Sequence, residues 1–447
     1  MASVKAEIAL IIAHLKIRGQ FSLEIREELD RIGGRIDPTE VYAEEEKTRH
    51  NIRALVNVLQ KKMSETGRMP GTVDLVPLAH LGATSVDILD TGLSWRIKGV
   101  TREVALPELK KLELLLCDLA EKEAETPQVG RTHGQHAVPI TVGFAMAEYV
   151  SRLGKSILEI ERLVKNVRGK LAGAVGAYNA ASMIVKDPEE LERLYLAELG
   201  LEPSEHSTQL VEPEYLLRLL LEFNTAFGII ANLADDLRNL QRSEIGEIRE
   251  GFAAAQVGSS TMPQKRNPWN SEHVKSLWKA FMPRVITFYM DQISEHQRDL
   301  TNSASQRFIA DYVAGFCLAL SRMRGVIEGL AIDRERLLAN IQGGVLAEPA
   351  YILLAESGVS GAHETIRKIT VAAEKERIGF VAALARECET LSAIGGQMAA
   401  LGIIAADGDA ARAALAWFGN PAQYCGLSAK KAHAIAGKYR SLMNTGK

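Results

Sequence analysis

Apolar positions recur with helical spacing along most of the chain, and strict strand-like alternation is scarce. Four long stretches stand out: residues 106–124, 144–167, 214–240 and 308–330. They are rich in Leu, Ala, Glu, Arg and Ile, which are mostly good helix formers. Each exceeds the usual helix length of roughly ten to fourteen residues. Helices of that length pack along their axes as a bundle. In residues 216–221 and 227–233 the apolar side chains run around the helix instead of forming one stripe. Such helices are buried on several sides, which points to association between subunits; a thick single-chain core is the alternative.

The pattern breaks in polar, irregular segments at 64–76, 127–139, 202–213 and 252–268. From about Asp333 the helical stretches shorten and Gly punctuates them. There is no internal repeat and no low-complexity tract. The expected fold is all-α, in three helical domains: 1–100, a central long-helix bundle at 101–332 that carries the loop 258–268, and a C-terminal domain at 333–447.

At 447 residues the chain has room for about three domains of ~150 residues. Hydrophobic residues make up 47% and charged residues 24%, a soluble globular composition. The net charge of −3 gives no basic field for nucleic acid or an anionic membrane. An anionic substrate must therefore be met by local cations. No signal-peptide pattern is visible at the start, and the apolar run at 8–13 is too short to span a bilayer. Cys117, Cys317, Cys388 and Cys425 are scattered without metal-like spacing, which fits reduced thiols in a cytoplasmic protein and gives no zinc site.

The most informative segment is GSSTMPQKRNP at 258–268. Gly258 frees the backbone at its start, while Pro263 and Pro268 stiffen the rest of the segment. Ser259, Ser260, Lys265 and Asn267 add hydroxyls, a positive charge and an amide. This suits a mobile anion-binding loop that carries a hydroxyl to a substrate carboxylate. An ordinary surface loop is the competing account.

Four polar islands interrupt the helices. In KTRH, Arg49 and His50 follow an acidic run at a helix start, where a solvated face is the simpler reading. In HLGATSVD at 80–87, His80 precedes a Gly turn, and Thr84 and Ser85 can cap the next helix. Free N–H groups and two hydroxyls there favour an anion, or serve as a plain cap. In GRTHGQHAVP at 130–139, Thr132 and His133 sit in an irregular polar setting just before a helix. No third metal ligand lies nearby in sequence, so a proton donor is better supported than a metal site. In RDLTNSASQR at 298–307, Arg298, Ser303 and Arg307 are spaced to converge on a phosphate, or to form salt bridges on a bundle face.

The loop resembles GSSxMPxKxNP, the signature of the fumarase/aspartase superfamily. With it, TRH, HxGxTSxD, GRTHGxHAxP, STQ (Ser207, Thr208, Gln209) and RDxxxSxxxR are similar, in order, to segments of the adenylosuccinate lyase family. The resemblance covers about residues 44–370. It implies an all-helical homotetramer with a twenty-helix core and active sites shared between subunits. It implies β-elimination of fumarate from adenylosuccinate, giving AMP, and from SAICAR, giving AICAR, with no metal or organic cofactor. Ser259 then matches the general base and His133 the general acid. Glu272 matches the carboxylate that orients His133. Lys265 and Asn267 match donors to the aci-carboxylate carbanion, and His80 and His50 match companion site residues. Thr84, Ser85, Thr132 and Gln209 would hold the succinyl carboxylates, beside Ser260 and Met262 of the loop. Arg49, Arg298, Ser303 and Arg307 would hold the nucleotide phosphate.

The chain departs from the family pattern in places. No extended N-terminal segment with an Arg-Tyr pair is seen before MASVKAEIALIIAHL, and residues 63–76 look longer than usual. Gln264 stands where the family often has His, and Gln is the residue typical of argininosuccinate lyases. Argininosuccinate lyase is the nearest rival, but GATSVD replaces its GRSRND-type segment. Another succinyl-amine lyase is a further reading. A non-catalytic structural homologue fits less well, because Ser259, Lys265, Asn267, His133 and Glu272 are all present.

Overall fold

A computed structural model describes residues 1–66, 74–253, 256–299, 301–341, 343–405 and 408–445. Helices dominate, as the apolar spacing predicts. The long ones are Leu106–Lys122, Val142–Lys165, Glu214–Leu240 and Ile309–Glu328, all within a few residues of the expected stretches. The only sheets among the described residues are three two-stranded ones. Segment 64–76 is less irregular than expected: the helix Asn51–Thr66 enters it and Val76–Leu78 forms a 3-10 turn, while 67–73 lie outside the described residues. Glu214–Leu240 is long and apolar enough to cross a membrane, but 56% of its most apolar stretch is buried inside the protein. That burial fits a bundle helix.

The chain packs as two compact units, each drawn from three stretches. The first holds Met1–Leu109, Ser156–Gly228 and Leu277–Leu318. At its centre is the helix Ala2–Ile17, in which nearly every residue from Val4 to Leu15 is buried. It is apolar around its whole circumference, and it packs against Pro188–Glu198 and Ser85–Val100. Its two buried polar side chains, Glu7 and His14, lie seven residues apart on one face. A second cluster is aromatic. Phe223 stacks on Phe316 at 5.0 Å, and Tyr312 takes the edges of Phe281 and Phe288 at 6.4 and 5.2 Å. Such pairs add about 0.5–1.5 kcal/mol each beyond the area they bury.

The second unit holds Lys110–Lys155, Ile229–Ser276 and Ala319–Lys447. Its C-terminal helices Ala347–Glu356, Ala362–Glu376, Cys388–Ala400 and Ala410–Phe418 close on a core of Leu353, Ile366, Ile394, Met398 and Phe418. Val129, from an antiparallel hairpin of Pro127–Thr132 and Gln135–Thr141, is inserted in the same core. The hairpin is a departure from the irregular segment expected at 127–139. It forms because Val129, Val138 and Ile140 supply β-branched residues on either side of a His-Gly turn.

Candidate active site

In the first unit, the helix Pro38–Thr48 ends at Arg49, which is left-handed at φ 54° and exposed. The chain re-enters a helix at Asn51, so His50 sits in the gap. Its Nδ1 accepts the Arg53 N–H at 3.2 Å. The proton of a neutral ring therefore lies on Nε2, which is 3.4 Å from Ser85 Oγ. Ser85 opens the helix Ser85–Val100 and Thr84 is its N-cap, as predicted. The Asp87 carboxylate reaches back to accept the Thr84 N–H at 2.8 Å, fixing the helix start. His80, at φ 61°, stands on the preceding turn, its Nδ1 2.8 Å from Glu7 Oε1.

Gln209 lies on an irregular segment held from two sides. Its N–H bonds the Gln297 carbonyl at 3.2 Å, which ties it to the Arg298 turn. Gly176, at φ 79°, presses on the Ser207 carbonyl so closely that an added Cβ would sit 1.8 Å from that oxygen. Arg298 is left-handed at φ 87°, and its guanidinium donates to the Gln292 carbonyl and Ser294 Oγ at 2.9 and 2.7 Å. Ser303 opens the short helix Ser303–Gln306 and Arg307 closes it, exposed.

Asp90 ties the same segment to the helix Ser85–Val100 by accepting the Val211 N–H at 3.2 Å. Burial pushes its carboxyl from 3.8 up to about 6, against the pull of that N–H and of the Lys170 charge. A raised folded-state value means the native protein holds this proton more tightly than the unfolded chain. The stabilisation is thus complete below pH 3.8 and is lost as pH rises through about 6. A shift of this size corresponds to about 3 kcal/mol above pH 6. Asp90→Asn is therefore expected to raise the denaturation midpoint at pH 8 and leave it nearly unchanged at pH 3.5. An equal gain at both pH values, or none at pH 8, would refute this.

In the second unit, the two-residue hairpin turn is His133-Gly134, at φ 54° and 74°, between the paired residues Thr132 and Gln135. Both central residues need positive φ in such a turn, which a glycine supplies freely and a histidine only under constraint. The turn therefore projects Thr132 and His133, both exposed. One strand is anchored by Arg131, whose two terminal nitrogens reach the two oxygens of the buried Glu247. Gln128 and Asn340 complete that carboxylate at 2.9 and 2.8 Å. Burial alone would raise the Glu247 carboxyl, but these donors outweigh it and hold it low.

The loop 258–268 is shaped by its own backbone. Ser259 Oγ accepts the N–H groups of Met262 and Thr261 at 3.1 and 3.4 Å. Asn267 Nδ2 donates to the Gly258 carbonyl at 3.1 Å, closing the loop's base. Any Cβ at Gly258 would meet the Lys265 carbonyl at 2.1 Å, so only glycine fits. Ser260, Met262 and the Lys265 side chain are exposed. Glu250 caps the following helix, Trp269–Phe281, through the Asn270 and Ser271 N–H groups and the Ser271 hydroxyl. Glu272 lies exposed in that helix's first turn. Among the described residues, no hydrogen bond joins His133, Ser259 and Glu272 within one chain.

Thus Arg49, His50, His80, Thr84, Ser85, Gln209, Arg298, Ser303 and Arg307 are carried by the first unit. Thr132, His133, Ser259, Ser260, Met262, Lys265, Asn267 and Glu272 are carried by the second. Seven described non-glycine residues have positive φ, and four of them are Arg49, His80, His133 and Arg298. Strained backbone of this kind gathers where function demands it. Sequence reasoning missed the charges behind these residues: the buried Glu7, Lys170 and Glu247, and the half-buried Glu250. The available signal was a lone Glu in the apolar run AEIALII and a lone Lys in GKLAGAVG, since a single charge in such surroundings is usually buried and paired.

Known proteins match most of this chain. A family model described as lyase matches residues 21–280, and one described as adenylosuccinate lyase C-terminal matches 294–391. The chain is 36% identical to an adenylosuccinate lyase of Pyrococcus horikoshii, over 74% of this chain and 72% of that protein. It is 32% identical to that of Aquifex aeolicus, over 72% and 71%. In fold it is similar to a 3-carboxy-cis,cis-muconate lactonizing enzyme from Pseudomonas putida, with a TM-score of 0.82, 23% identity and coverage of 98% and 94%. These matches span every polar segment described above, and the chain belongs to the adenylosuccinate lyase family.

Proposed function

We propose that this chain is a carbon–nitrogen lyase that eliminates fumarate from adenylosuccinate, giving AMP, and from SAICAR, giving AICAR, in purine nucleotide biosynthesis. Membership of the family supports the activity. The observation that carries the mechanism is the setting of Ser259. A serine hydroxyl is far too weak a base at neutral pH. Here its oxygen already accepts two backbone N–H groups, which favour the alkoxide over the alcohol. The exposed ammonium of Lys265 on the same loop adds positive charge.

In this reading Ser259 removes the proton from the carbon beside a succinyl carboxylate. The electron pair moves onto that carboxylate as an aci-carboxylate, which Lys265 and Asn267 stabilise. Preplaced donors of this type are worth about 3–4 kcal/mol each in the transition state. The pair then forms the C=C bond of fumarate as the C–N bond breaks, and His133 protonates the departing nitrogen. Thr84, Ser85, Thr132 and Gln209 hold the carboxylates, with Ser260 and Met262 beside them. Arg49, Arg298, Ser303 and Arg307 hold the phosphate. The reaction balances with two proton transfers and calls for no cofactor. Complete sites form in a cytoplasmic homotetramer, in which Glu272 of one subunit orients His133 of another.

The test is to incubate the purified protein with adenylosuccinate, SAICAR or argininosuccinate, and to follow ultraviolet absorbance and fumarate. Release of AMP and fumarate in equal amounts is expected. Turnover of argininosuccinate alone, the reading that Gln264 favours, would overturn the substrate assignment.

A further inference from the structure

We propose that Glu7 is a positioning residue for His80: it holds the proton on Nδ1 and leaves Nε2 as a bare acceptor for an N–H or O–H group of the substrate. This rests on the proposed function, in which His80 borders the substrate. Glu7 is fully buried in the central helix of its unit, with Oε1 2.8 Å from His80 Nδ1. Its other oxygen is buried without a hydrogen-bond partner, so His80 is the one described group that satisfies this carboxylate. A buried carboxylate is costly unless it is paired, and here the partner is a site histidine.

The grip extends one residue further. His14, on the same face of the helix, has Nε2 2.9 Å from the Leu81 carbonyl. Two neighbouring residues of the turn are thus held by one rigid helix. That grip lets His80 persist in its left-handed backbone conformation at φ 61°.

The consequence is a choice of tautomer. A carboxylate only accepts, so Nδ1 must donate and carries the proton. Nε2 makes no hydrogen bond to a described residue, and the His80 side chain is 20% exposed. His50, in the same unit, is set the opposite way, with Nδ1 accepting from Arg53. The unit thus presents one imidazole Nε2 as a donor and the other as an acceptor. That arrangement discriminates between substrate groups.

The experiment is magic-angle-spinning NMR on protein labelled with 15N-histidine, the His80 signal being assigned by its loss in His80→Gln. The expected result is a protonated Nδ1 and an unprotonated Nε2 in the wild type and in Glu7→Gln, whose amide oxygen still accepts. Glu7→Leu removes the acceptor and leaves the partly exposed His80 ring without it, so urea denaturation of this variant separates any loss of stability from the loss of positioning. The substitution should shift the proton to Nε2 and cut kcat/KM by about 10–100-fold, as loss of a supporting partner typically does. Glu7→Gln should stay within about tenfold of wild type, and adding Glu7→Leu to His80→Ala should cost nothing further. An Nε2–H tautomer in the wild type, or fully additive losses in the double variant, would overturn the proposal. The NMR measurement needs no substrate, so it reads the positioning even if the protein turned over no succinyl-amine, a result that would sink the functional reading alone.

Discussion

Ser259→Ala is expected to lower kcat for adenylosuccinate by about 10²–10⁴-fold, the range that a positioned general base contributes. KM, helicity and subunit assembly should stay near wild type. The reason lies in what the hydroxyl touches. Among the described residues its oxygen bonds only the N–H groups of Thr261 and Met262 within its own loop, and the residue is half-buried, so water replaces the lost acceptor. The loop keeps its base through Asn267 and the Gly258 carbonyl, and the next helix keeps its Glu250 cap. The loss therefore falls on proton abstraction and not on shape. Steady-state and single-turnover kinetics against adenylosuccinate, with circular dichroism as a control, check this. A rate within a few-fold of wild type would remove Ser259 from the role of base.

The helices were legible because their cause is local. Residues 214–240 carry apolar side chains at helical spacing, and the observed helix has the same ends. The polar islands were legible for the converse reason: hydroxyls, imidazoles and guanidiniums beside Gly and Pro break a periodic pattern. The Thr84 cap and the break at Arg49 and His50 follow from capping chemistry, and both are present. The hairpin at 127–141 was hidden. Its strands are short, and only the insertion of Val129 into a distant core and the Glu247 anchor stabilise them as β-structure.

The supports of the candidate site were not legible, because they depend on long-range pairing. Glu7 reaches His80 across 73 positions, Lys170 reaches Asp87 across 83, and Glu247 reaches Arg131 across 116. A periodicity argument sees each of these as one charge in an unpromising place. Only the folded chain shows that each holds a residue inside one of the polar islands, at 80–87 or 130–139.

Lys170→Met is expected to destabilise the protein by about 3–5 kcal/mol, the usual result of leaving one partner of a buried ion pair alone. Lys170 and Asp87 are both completely buried, and the ammonium also donates to the Gly173 carbonyl at 3.1 Å. Asp87 accepts the N–H groups of Ala172 and Thr84 at 3.2 and 2.8 Å. Removing the cation leaves a buried charge held by two amides. The carboxylate must then ionise at high cost or take a proton, and in either case its grip on Thr84 weakens. The start of the helix Ser85–Val100 would loosen with it, so KM should rise together with the loss of stability. Replacing both partners, Lys170→Met with Asp87→Asn, removes the stranded charge and should recover part of the loss. Urea denaturation at a fixed protomer concentration is the measurement, since assembly makes stability depend on concentration. A loss below about 1 kcal/mol for Lys170→Met, the scale of an exposed pair, would mean that this ion pair does not hold the Thr84 turn in place.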